Sequence, residues 1–308
     1  MQPTENTFIH RRVEPLPSWR KPLDAAARRR ECMLAGLLLL MLVGALVGPA
    51  LAQPSHYHEF ADQRGWGMLP HAMDVLSNLP FALWSVAGMW ALVRAMRARA
   101  VSGAAAGLAA LFFGGLMVTA MVSAAYHFQP GDAGLAWDRG GMVFAFAGLL
   151  GLAALRAVSA RAGIALAAAV LALGPLSVYS WSLSGNVLPW AVLQFGGMLL
   201  VVWFAWLPPV RSGRAWPVLP VRWMLVIAVY ALAKLLELGD HAVFEWTGQL
   251  VSGHSLKHVV ASFAAWPVVS ALLAIRKIKA ESSAPSTREQ AGRLAKARRT
   301  TTETRGQA

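Results

Sequence analysis

Cysteine is nearly missing from this chain: Cys32 is the only one in 308 residues, so neither a disulfide framework nor a thiolate metal site is possible. Charge is scarce too. Asp, Glu, Lys and Arg make up 14% of the residues against 56% hydrophobic ones, a mix far from the soluble average that excludes an ordinary globular domain. Acidic residues number 15 against 28 Lys and Arg, giving a formal net charge of +13. Those cations fall in tails and short loops and build no basic face, so the excess reflects membrane threading and no nucleic-acid partner is expected. Strict apolar/polar alternation is also lacking. Runs such as GLLLLMLVGALVGPALA and VLQFGGMLLVVWFAWL have no period of two, which excludes transmembrane strands and leaves helices. No HExxH occurs, which argues against a zinc protease of that type.

What is present is a series of apolar runs, each about 18 residues or longer, enough to cross about 30 Å of hydrocarbon as helix. They predict an all-α membrane protein: one N-terminal hydrophobic helix over 33–52, then seven core spans near 72–93, 104–127, 140–155, 163–179, 187–207, 221–238 and 255–275. The chain divides into a basic cytoplasmic tail over 1–32, the N-terminal helix, a seven-helix domain over 53–276 and a disordered basic tail over 277–308. The first helix reads as an anchor or a signal peptide. Its end, PALAQ, has the A-x-A form of a cleavage site, but the basic region before it is long for a signal, which favours a retained anchor. Lys and Arg collect in alternate loops (Arg94/Arg97/Arg99, Arg156/Arg161, Arg211/Arg214/Arg222, Arg276/Lys277/Lys279), while Glu59, Asp62, Asp132, Asp240 and Glu245 lie in the opposite ones. The positive-inside rule then puts both tails in the cytoplasm, and Trp66, Tyr126, Trp137, Trp181 and Trp246 read as an interfacial belt.

This threading brings several polar side chains to one membrane face. Ser123 and His127 end the second core helix in VSAAYHF, Asp138 opens the third, and His254 and His258 open the seventh in GHSLKH. The two i, i+4 pairs each share a helical side. Three imidazoles with a fourth tetrahedral position open for water form a catalytic zinc arrangement, in which the pKa of bound water falls from about 15.7 to about 7. Asp138 then accepts or orients the proton of that water, and Ser123 donates to an oxyanion formed from an amide. Each element alone has a blander reading: histidines meeting headgroups, a packing serine, a first-turn acid matching the helix dipole. Five polar groups recurring at one depth argue for a site, because intramembrane ionisable groups are costly unless paired.

Lys234, Glu237 and Asp240, at i, i+3 and i+6, read as a structural charge network, with Lys257 between the paired histidines. Asp74, Ser77 and Asn78 in DVLSNLPF, together with Lys257, are candidates to support the metal ligands from behind. His56, His58 and His71 read as loop histidines, with a second metal as the alternative; His241 reads as a loop residue and His10 lies in the tail.

SNLPF in the first core helix, Ser123-xxx-His127, Asp138 eleven residues later and His254-xxx-His258 together resemble the alkaline ceramidase family. That family belongs to a seven-helix superfamily that also contains the progestin and adipoQ receptors. The resemblance covers about residues 59 to 276 and implies a zinc-dependent intramembrane amidase with His127, His254 and His258 as metal ligands and Asp138 and Ser123 beside the metal-bound water. It implies a membrane lipid substrate, ceramide, cut to a sphingoid base and a fatty acid. An acidic calcium-binding segment of animal members is replaced here by HYHEFADQRGWGMLPHAMD, where Glu59 and Asp62 are the acids left for Ca2+ and His71 stands near the place of a later acid. Ala-, Leu- and Arg-rich composition points to a bacterial inner-membrane chain, for which another N-acyl lipid would suit the same chemistry. The receptor branch of the resemblance gives the alternative: a non-enzymatic protein with a structural zinc.

Overall fold

A computed structural model describes residues 25–210 and 218–283, with side chains described as far as residue 279. Residues 1–24 of the basic tail with His10, the loop residues Arg211 and Arg214, and the tail from residue 284 onward lie outside the described residues.

The described residues are mainly helical, and the only β pairings among them are two isolated bridges. Helix α1 spans Ala25–Val47, beginning earlier than its apolar run because AAARRRE is itself a good helix former, and stopping before Gly48-Pro49. Only Ala27 and Leu34 of it are buried. Its polar end is clamped to the core: the Arg30 guanidinium donates to the carbonyls of Ala157 at 2.6 Å and Pro208 at 2.8 Å, and Glu31 accepts from the Ser159 hydroxyl and from Arg161.

The first core span is broken into α2 (Ala72–Leu76) and α3 (Leu79–Arg97), because Pro80 has no N–H to give the Leu76 carbonyl. Next come α4 (Gly103–Phe128), α5 (Asp132–Ala157) and α6 (Ala160–Ser184). Ser102 and Ser159 cap α4 and α6 through their hydroxyls, and α6 ends at Gly185 in the left-handed region with φ 71°. The fifth span is α7 (Leu188–Ala191), a π-turn at Val192–Gly196 and α8 (Gly197–Trp206). Then follow α9 (Trp223–Leu238), α10 (Asp240–Trp246) and a last span of α11 (Gly253–Ser262), a 3-10 turn at Phe263–Ala265 and α12 (Trp266–Ser283). Pro267 accounts for that turn, since it cannot donate to the Phe263 carbonyl.

Among the described residues, seven helical segments, α1 among them, are long and apolar enough to cross a membrane. The 16 residues of α9 span about 24 Å, short of that length, and complete a core of seven beside α1. The expected all-α architecture, a multi-pass membrane protein with one added N-terminal helix, is the one observed.

Helices α4 and α5, which carry His127 and Asp138, pack closely through small residues. A Cβ added at Gly115 would overlap the backbone of Ala145, and one at Gly148 would overlap the backbone of Phe112. At Gly114 an added Cβ meets nothing within 4 Å. Gly148→Ala is therefore expected to destabilise the purified protein by about 1–3 kcal/mol, as overpacking does. Gly114→Ala should be neutral or stabilising by up to about 1 kcal/mol, as removal of a helical glycine is. Thermal unfolding in detergent checks both, and equal losses would contradict the close approach.

Candidate metal centre

The break at Pro80, the end of α4 and the start of α11 converge on one point. His127 lies in the last turn of α4, and His254 and His258 occupy the first two turns of α11. All three are buried, with 1%, 8% and 5% exposure. Their ligand atoms lie within 4.8 Å of one another, and the Nε2 atoms of His127 and His254 are 3.3 Å apart. Two nitrogens bound to one tetrahedral zinc at 2.0–2.1 Å stand about 3.3 Å apart, so this edge has the metal's own spacing. The three expected ligands thus form one cluster that can hold a metal ion.

Their surroundings explain why they meet there. Ser252 caps α11 by accepting from the Ser255 N–H at 2.9 Å. Gly253, next in line, lies against the Leu236 carbonyl and the Asp240 backbone, leaving no room for a Cβ. Asp240 accepts from the His254 N–H at 2.7 Å and from the Ala61 N–H at 2.9 Å, tying α11 to the segment before α2.

Ser77 supports His258 as expected of a second layer. Its hydroxyl donates to the Asp74 carbonyl at 2.9 Å and lies 2.8 Å from Nδ1 of His258. With its one proton used, the oxygen accepts from Nδ1–H, which leaves the lone pair on Nε2 free for a metal. Asp74 accepts from the Ser255 hydroxyl at 2.6 Å, and Asn78 donates to the Asp74 carbonyl at 2.9 Å, so these residues lock α2 to α11. Lys257 lies 3.5 Å from His254 Nδ1, at the limit of a hydrogen bond, and donates to Glu237 at 2.8 Å.

Asp138 and Ser123 face one another, and both line a cavity of about 180 Å³ together with His258. Asp138 does not open its helix: α5 begins at Asp132, so the carboxylate sits two turns inside, where Oδ1 is buried without a partner. The apolar run alone predicts a start at 140, because the mixed stretch DAGLAWDR is not apolar, although Asp132 is a favourable first-turn acid. Phe112, Leu116, Met142, Leu149 and Val226 supply an apolar wall.

Several expectations need correction. The charge network is Lys234–Glu237–Lys257, with both lysines on the one carboxylate. Asp240 is not in it, because Gly239 ends α9 and turns that residue toward backbone N–H groups. Tyr126 and Trp181 are buried at 3% and 4% exposure and belong to no interfacial belt, unlike the exposed Trp66, Trp137 and Trp246. His241 is exposed within α10 and not in a loop.

His56, His58 and His71 form no cluster; among the described residues only the His127, His254 and His258 group can hold a metal. His58 contacts the Tyr126 hydroxyl at 2.9 Å and Asp132 at 3.0 Å, and His71 packs edge-on to Phe60. For calcium, the Asp62 carboxylate is already engaged by the Arg64 guanidinium at 2.7 and 2.8 Å, a pairing that holds its pKa below the usual value.

Sequence reasoning missed three residues here: Phe60, whose ring lies 4.7 Å from His127 and 4.4 Å from His254 as a cover; Ser255, which holds Asp74; and Arg139, buried beside Asp138. None of the three carried a signal: Arg139 stands just before the 140–155 span and becomes an intramembrane cation only because α5 begins at Asp132.

No protein-family profile matches this chain, and no curated protein does either.

One transition-metal ion per chain is the expected metal content of protein purified without chelators. Ala at His127, His254 or His258 should abolish retention, and Ser77→Ala should weaken metal affinity by about 10–100-fold, as loss of a ligand's supporting hydrogen bond does.

Proposed function

We propose that the chain is a zinc-dependent intramembrane lipid amide hydrolase, resembling the alkaline ceramidases, that cleaves ceramide or a related N-acyl lipid to a fatty acid and a sphingoid base or amine. One observation carries the reading. A buried cluster of three imidazoles presents one of them, His258, to a cavity with a largely apolar wall that also bears an unpartnered carboxylate oxygen and a hydroxyl.

The donor set fits zinc, since all three ligands are nitrogens and Ser77 holds the His258 ring with Nε2 free. Bound zinc supplies a nucleophile from water at neutral pH and polarises the amide carbonyl. Asp138 takes the proton of the attacking water on its buried oxygen and returns it to the leaving amine. Once protonated, the Asp138 carboxyl can donate to the Ser123 oxygen, which releases the hydroxyl proton of Ser123 toward the developing oxyanion. Phe60 covers two imidazoles and keeps bulk water off them. Phe112, Leu116 and Leu149 accept the acyl chain. The cationic loops at the opposite end of the bundle support a bacterial inner-membrane topology with the site on the extracytoplasmic side.

Release of fatty acid from a panel of ceramides and N-acyl lipids tests this. Asp138→Asn should lower the rate by about 10²–10⁴-fold, the range for a lost general acid–base. Ser123→Ala should lower it by about 10²–10³-fold, as loss of an oxyanion donor does, with zinc content unchanged in both. A zinc-loaded protein that releases nothing, with His254→Ala affecting stability alone, would favour the receptor-like alternative with a structural zinc.

A further inference from the structure

Arg139 is the one charged side chain on the cavity wall that neither enters the chemistry above nor has an ion-pair partner among the described residues. It lies next to Asp138 on α5, about two turns inside the helix, with 4% exposure. Its guanidinium stacks on the Trp181 ring at 4.2 Å and lies 5.4 Å from the Tyr57 ring, so it is held as a fixed plane. Nη2 donates to the Gln53 side-chain oxygen at 2.7 Å. Nη1 is buried and has no partner. Among the described residues no carboxylate lies within ion-pair distance of it, whereas Lys234 and Lys257 on the same wall both pair with Glu237. A cation in this position is costly without a counter-ion, and a planar fork with a free donor is built for an oxyanion.

The charged groups lining the cavity are Asp138, Glu237, Arg139, Lys234 and Lys257, so cations outnumber acids even before a metal is counted. Arg139 also sits beside Asp138, under the segment that carries Gln53 and Tyr57.

We infer that the cavity takes an N-acylated lipid whose head carries a phosphate-type oxyanion, bound by Arg139. This specificity rests on the amide-hydrolase reading; the anion site itself does not. A neutral ceramide head offers hydroxyls alone and leaves the Arg139 charge uncompensated.

The test compares amide cleavage of a ceramide and its 1-phosphate with the same acyl chain, using the zinc-loaded full chain in mixed micelles. The phosphate-bearing substrate should have a kcat/KM about tenfold or more above the neutral one, the size of a charge-assisted hydrogen bond. Arg139→Gln should erase most of that ratio through KM, and Arg139→Lys should keep part of it. Equal or better cleavage of neutral ceramide by the wild type overturns the inference and leaves the hydrolase reading standing. So does an Arg139→Gln variant that loses both substrates in equal proportion, since that marks a packing role.

Binding of dodecyl phosphate, measured by calorimetry against inorganic phosphate, separates the remaining cases. Arg139-dependent binding of dodecyl phosphate with no amide cleaved supports the anion site while the hydrolase reading falls. Absence of that binding sinks the site, and equally tight binding of inorganic phosphate overturns a lipid as its source.

Discussion

Three imidazoles closed around one point inside a membrane bundle are the constraint on which the rest depends. Nitrogens 3.3 Å apart share either a proton or a metal ion, and a proton can join only two of the three rings. The neighbouring structure is arranged to hold the trio. Pro80 breaks the first core span so that Ser77 reaches His258, Gly253 lets α11 start against α9 and α10, and Asp240 holds that start by its backbone. Gly115 and Gly148 bring α4 and α5 close enough for Ser123 and Asp138 to face one another.

Most of the bundle's charged groups are paired or tied to helix ends. Arg30, Glu31, Arg156 and Arg161 fasten helix ends at one side, far from the histidines. At the other side Glu237 carries two lysines, Asp62 carries Arg64, and Asp74 gathers two serines. Arg139 is left with a neutral partner and two aromatic planes, and that imbalance points to a negative charge supplied from outside the chain. Between these layers part of the cavity wall is apolar, formed by Phe112, Leu116, Met142, Leu149 and Val226, as the proposed lipid chains would require.

The architecture was legible in the sequence because each span had to satisfy its backbone within lipid, and helices of apolar residues are the simplest way to do so. The histidine trio was legible for a related reason: His127, His254 and His258 stand out against apolar neighbours, and threading alone fixes their depth. Contacts that depend on helix rotation and breaks were not legible. Asp240 looked like part of an i, i+3, i+6 ladder until Gly239 turned it away, and Lys257 reached Glu237 from another helix. Phe60 lies in a loop whose path no periodicity encodes, and Asp138 was displaced from a helix start because α5 begins in a mixed polar stretch. Arg139 fell just outside its span for the same reason, and its lack of a counter-ion appears only once the neighbours are in place.

The central claim is that this cluster binds a transition metal, and X-ray absorption at the zinc edge of the purified full-length chain tests it most directly. The account predicts one zinc per chain with a four-coordinate shell of nitrogen and oxygen at about 2.0 Å and the outer-shell scattering of three imidazoles. A protein that retains no metal, or a metal whose shell shows no imidazole, would contradict it.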